Sequence, residues 1–147
     1  MTTDASGLGS SSRPTISANL RLRAVGVGAA VVAAAIVWAI AKAADVEFLV
    51  KQGEGNAPTE VGLGIVIVMA LVAALLGWGV LILLERFLSR GTAIWTGLAV
   101  LVLLLSFAPV LSADATTGTK LSLVIMHVVV AASVIPLFHQ TAPRTAR

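Results

Sequence analysis

Residues 61–84 read VGLGIVIVMALVAALLGWGVLILL, from Val61 to Leu84. The stretch holds no charged residue and no Asn, Gln, Ser or Thr. As a helix rising about 1.5 Å per residue it extends roughly 36 Å, enough to cross a hydrocarbon core of about 30 Å with some tilt. Working outward, three similar runs flank it: Ala24–Ala41, Thr92–Leu111 and Lys120–Phe138. The expected fold class is therefore all-α: a four-helix transmembrane bundle, with antiparallel neighbours where connections are short.

Composition supports a lipid environment. Of the 147 residues, 58% are hydrophobic and only 12% are charged, about half the charge of an ordinary soluble domain. The lipid bilayer is thus the first partner. A formal net charge of +3, with the basic residues at helix ends and tails, makes no patch for nucleic acid. There are no cysteines, which excludes disulfides, thiolate metal sites and thiol redox chemistry.

Basic residues set the expected orientation. Arg13, Arg21, Arg23, Arg86, Arg90, Arg144 and Arg147 fall on one side of a four-span arrangement; Lys42, Lys51 and Lys120 fall on the other. The richer side belongs in the cytoplasm, so both termini are expected inside a bacterial plasma membrane. Residues 1–20, rich in Ser, Thr and Gly, read as a disordered cytoplasmic tail, residues 21–138 as the transmembrane domain, and residues 139–147 as a second cytoplasmic tail. Two arginines before an apolar run also fit a secretory leader, but eighteen apolar residues exceed the usual core of about 7–15.

The longest connection, Lys42–Glu60, is expected to form a short extracytoplasmic loop cap between the first two helices. Its VEFLV segment, Val46–Val50, suits a short strand or a membrane-surface segment, and Thr59 with Glu60 suits the start of the second helix. Trp38 and Trp95, near span ends, suit interfacial anchors. Small residues recur four apart in Gly26/Ala30/Ala34, Ala70/Ala74 and Ala73/Gly77, which lets backbones approach closely in lipid. The first and second helices are expected to form the tight small-residue core. Pro109 is expected to kink the third.

His127 is the strongly polar ionisable group inside a span, roughly 10 Å below the expected outer end of the fourth helix. It is suited to lining a pathway, ligating a metal or holding a ligand, or to packing through a hydrogen bond to Ser106 or Ser122. Asp114 and Glu60 are the loop carboxylates that an outer-side site would recruit. Glu85, in the last turn of the second span, is opposed by the helix dipole and needs a partner: Arg86, Arg90 or a basic residue of the amino-terminal segment. No Ser-His-Asp set, phosphate-binding glycine loop or HExxH pattern appears, which points away from an enzyme. No catalytic, cofactor-binding or metal-ligating set is expected.

These features are carried by short motifs: the Trp38-to-Asp45 end of the first span, Leu76-Gly77-Trp78-Gly79, Leu84-Glu85-Arg86, the Ser106-to-Pro109 turn, and Met126-His127-Val128-Val129-Val130 leading to Ile135-Pro136. Over about Arg21–Phe138 the chain resembles a family of small actinobacterial membrane proteins of unknown function. The resemblance implies four spans in a plasma membrane and no established activity. The residues themselves point to a non-enzymatic accessory or envelope-associated component acting through helix packing, with itself as a homo-oligomer or with a membrane-protein partner. The alternative is a small transporter or channel component in which His127 lines an outward-open pathway.

Overall fold

The computed structural model describes residues 16–51, 53, 55 and 57–141. Arg13, Glu54, Arg144, Arg147 and the expected tail at residues 1–15 lie outside the described residues. The order is α1 (Ile16–Ala43), β1 (Leu49–Val50), β2 (Thr59–Glu60), α2 (Leu63–Phe87), α3 (Gly91–Ser112) and α4 (Thr117–Gln140). All four helices are long and apolar enough to cross a membrane.

Three boundaries differ from the sequence expectation. α1 begins at Ile16, so the last residues assigned to the disordered tail are helical and Arg21 and Arg23 sit within the helix. α4 begins at Thr117 because the Thr116 hydroxyl accepts the Thr119 N–H at 3.2 Å, an N-cap that recruits three residues read as loop. Thr59 and Glu60 do not cap α2. They form β2, and the helix starts after Gly62 with no side-chain cap. Helical structure continues through Pro109 to Ser112 and through Pro136 to Gln140.

The helices run alternately up and down as a ring in which α1 packs between α2 and α4, and α3 closes the far side against both. The most extensive contact is α1 with α4, ahead of α1 with α2, so the expected primacy of the first two helices is overturned. The reason lies in the small-residue face of α1. Ala30 and Ala34 are fully buried, and a Cβ on Gly26 would lie 3.1 Å from the Phe138 ring of α4. Phe138 fills the space that the glycine leaves open.

A two-residue ladder closes one end of the bundle. Leu49 pairs with Glu60 and Val50 with Thr59, antiparallel. Lys51 and Asp114 exchange backbone hydrogen bonds of 3.0 and 3.1 Å, tying this hairpin to the α3–α4 connection. Phe48 anchors the hairpin. Its side chain is fully buried among Ala34, Ala41, Val66 and Met126 and stacks on Trp38, centroids 6.2 Å apart. The Trp38 indole N–H donates to the Val61 carbonyl at 2.9 Å, so Trp38 helps fasten the hairpin as well as marking a helix end.

Phe48 holds a positive φ of 55°, a left-handed conformation that costs a bulky residue about 1 kcal/mol or more. Burying a phenylalanine side chain returns about 1.5–3 kcal/mol, which outweighs that strain. Phe48→Ala, at a cost of about 3–5 kcal/mol to that attachment, is expected to release the hairpin. Limited trypsinolysis in detergent then cuts after Lys51 well before the helices are lost, whereas the parent chain resists at that bond.

Candidate functional site

Two polar features stand out among the described residues of the bundle. The first is at the end opposite the hairpin. Arg23 of α1 is buried, 8% exposed. Its Nη2 donates to both carboxylate oxygens of Glu85 on α2, at 2.9 and 2.8 Å. Its Nε donates to the Thr141 hydroxyl at 2.8 Å, just past α4. Thr141 in turn donates to the Phe138 carbonyl at 2.7 Å, and the Thr92 hydroxyl of α3 donates to Glu85 Oε1 at 3.2 Å. One ion pair thereby joins side chains from all four helical segments.

The Glu85 partner is thus the third option read from the sequence, a basic residue of the amino-terminal segment, and the pair is enclosed rather than superficial. Arg23 stands just before the apolar run that begins at Ala24, so hydropathy alone gives no sign that it is enclosed. Helical register was the missed signal: Arg23, Val27, Ala30 and Ala34 form one buried stripe on α1. Thr92 and Thr141, the other members, carried no distinguishing pattern. The turn beneath them demands a glycine. A Cβ on Gly91 would stand 2.5 Å from the backbone of Leu84, so α3 can begin this close to α2 only without a side chain there.

Trp95 belongs to this closely packed end. The expected interfacial anchor is instead 3% exposed, with its indole N–H donating to the Gly77 carbonyl at 2.8 Å and its ring 5.4 Å from that of Phe138. Gly77 leaves its carbonyl accessible to a neighbouring helix, and that, rather than the water interface, satisfies the indole.

The second feature is a groove of about 660 Å³ framed by α2, α3 and α4, with Ala34 of α1 at its floor. α2 and α3 meet at the Gly91 turn and at the Trp95–Gly77 bond, while α2 and α4 touch little. Met69 and Leu76 on α2 and Leu98 and Val102 on α3 line it and are themselves exposed, so it opens on the flank of the bundle. The row Ala70/Ala74 is buried as expected and forms part of the groove wall; of the second row, Ala73 is exposed along the groove, while Gly77 also receives the Trp95 indole of α3.

His127 and Ser106 both line the groove. With α4 starting at Thr117, His127 lies about 15 Å along a helix of roughly 36 Å, nearer the middle than the sequence suggested. Its Nδ1 pairs with the Leu123 carbonyl of its own helix at 2.7 Å, and the Phe107 ring of α3 stands edge-on at 6.4 Å. Ser106 donates to Leu103 O and Ser122 to Gly118 O, each within its own helix, so the interhelical hydrogen bond expected of His127 is not formed among the described residues. Asp114 and Glu60 sit at the hairpin end, where Glu60 makes only an exposed 3.4 Å pair with Lys42. The structure therefore brings together Arg23 with Glu85, and Ser106 with His127, and keeps the loop carboxylates apart from both. Among the described residues no three His, Asp or Glu side chains gather as a metal site would require.

Four packed apolar helices and a flank groove define a membrane-type helical bundle. The chain belongs to a family of unknown function, DUF6069, which matches residues 14–144. No curated protein and no solved structure matches it.

Proposed function

We propose that this chain is a four-span protein of a bacterial plasma membrane, with both termini cytoplasmic and the hairpin as an extracytoplasmic cap. The resemblance to small actinobacterial proteins and the seven-to-three division of basic residues support that placement. Its role is that of a non-enzymatic accessory or envelope-associated component that works by helix packing with a membrane-protein partner or a second copy. The observation that carries this reading is α3: it flanks the bundle with only 11% of its most apolar stretch buried, the least of the four helices. A helix so lightly covered, with Leu101, Leu104 and Leu105 exposed, has surface to offer a neighbouring helix.

A second reading, a small transporter component, is favoured by one specific observation: His127 lines a groove instead of being enclosed by packing. An intramembrane histidine in contact with a cavity is suited to a pathway.

Two measurements test the leading reading. Gentle solubilisation of the full chain followed by native mass spectrometry is expected to return a stoichiometric second protein or a defined homo-oligomer; a bare monomer in bilayer nanodiscs contradicts the packing role. Because the chain has no cysteine, single substitutions report topology cleanly. Ala57→Cys, in the hairpin connection, is expected to react with a membrane-impermeant maleimide on intact cells, and Ser89→Cys, in the α2–α3 turn, only after lysis. The reverse pattern overturns the orientation.

A further inference from the structure

The groove holds an unusual hydrogen-bonding inventory. The Trp95 indole N–H is spent on Gly77 O and the Ser106 hydroxyl hydrogen on Leu103 O. A backbone carbonyl can only accept, so the 2.7 Å contact of His127 Nδ1 with Leu123 O fixes the ring proton on Nδ1. In the neutral imidazole the lone pair is then on Nε2. Nε2 has no hydrogen-bond partner among the described residues, and it is not an enclosed unsatisfied atom, so it reaches the groove surface. Every side-chain donor lining the groove is used, while two acceptor atoms remain: His127 Nε2 and Ser106 Oγ, which only donates among the described residues.

We propose that the groove is a binding site for a lipophilic alcohol or phenol: a neutral, largely apolar molecule, one hydroxyl of which donates a hydrogen bond to His127 Nε2. The proposal rests on the membrane placement above but not on the packing role. Three constraints select this chemistry. The site lies about 15 Å from the Thr117 end of α4, in hydrocarbon, where a charged or zwitterionic headgroup is costly to place. The remaining wall is aliphatic: Met69, Ala73 and Val102 accept an apolar body and offer it no polar contact. An acceptor left unmade in hydrocarbon gains from a donor and gains nothing from a carbonyl or ether. The volume of about 660 Å³ falls within the usual range of small-molecule sites, roughly 300–1,000 Å³. Two sources share this chemistry, a prenol and a quinol, and each has a partner molecule of nearly the same shape without the hydroxyl.

The test uses the full chain in nanodiscs with two probe pairs: farnesol against farnesyl methyl ether, and duroquinol against duroquinone. Wild-type protein is expected to prefer the hydroxyl-bearing member of at least one pair about tenfold, the size of one hydrogen bond formed away from water. The pair that discriminates identifies the source. His127→Leu is expected to reduce that preference to within about twofold while keeping the affinity for the ether or quinone, which also certifies that the variant is folded. In histidine-labelled wild-type protein, the Nε2 ¹⁵N resonance moves with the hydroxyl-bearing member and stays in place with its control. Equal affinities within both pairs, a preference that survives His127→Leu, or an unmoved Nε2 resonance overturns the proposal. So does a groove filled by a second copy, seen as disulfide-linked dimers of Ala73→Cys protein that exclude farnesol. None of these outcomes alters the maleimide pattern, so failure here is distinguishable from failure of the membrane orientation.

Discussion

An arginine carried into the first helix needs a partner wherever the bundle encloses it, and the answer to that need organises one whole end of the protein. Arg23 spends its Nη2 on the two Glu85 oxygens and its Nε on Thr141, and Thr92 adds a further donor to Glu85. Both charges are enclosed, with side chains 10% and 16% exposed, so neither can fall back on bulk water. Removing one member of such a pair costs about 3–5 kcal/mol, whereas replacing both by apolar groups can cost little. The pair therefore contributes less through its own strength than by penalising arrangements in which Arg23 and Glu85 fail to meet. It also resolves a local conflict: the carboxylate stands in the last turn of α2, where the dipole opposes it, and the guanidinium beside it offsets that cost.

The remaining architecture follows from close contact at that end and looser contact along the flank. Gly91 permits α3 to start against Leu84, and Trp95 then reaches the Gly77 carbonyl. Beyond these contacts α2, α3 and α4 frame a groove with Ala34 of α1 at its floor. The opposite end is held by other means, with Phe48 buried beneath a two-residue ladder and Lys51 bonded to the backbone of Asp114. A bundle fastened at both ends can keep a groove on its flank without coming apart.

The four helices were legible because long uncharged runs admit few other structures, and their centres agree with the expectation from hydropathy. Their ends were less so. Charge usually ends a span, so hydropathy starts the first run after Arg23, yet a paired arginine can continue the helix. Thr116 falls in the expected loop, although a threonine shortly before an apolar run is itself an N-cap signal. Neighbour choice was not legible: each helix is apolar nearly all round, so no single stripe announces its partner, and α1 turned out to favour α4 through the Gly26–Phe138 fit. Of the candidate residues, Glu85 was readable from the dipole argument, but its enclosure depended on Thr92 and Thr141, which nothing in the chain distinguished. His127 stood out as a polar group in a span. The groove it faces was not readable, because it arises where α2 and α3 separate, and that is a property of three helices together.

The central claim is that Arg23 and Glu85 act as one unit holding the four helical segments together. A double-mutant cycle of Arg23→Met and Glu85→Met, followed by reversible unfolding in detergent, tests it most directly. The account predicts that each single substitution destabilises by about 3 kcal/mol or more and that the double variant is no worse than either single, giving a coupling at or above the top of the usual range of about 0.5–3 kcal/mol. Losses that simply add, with no coupling between the two positions, would contradict it.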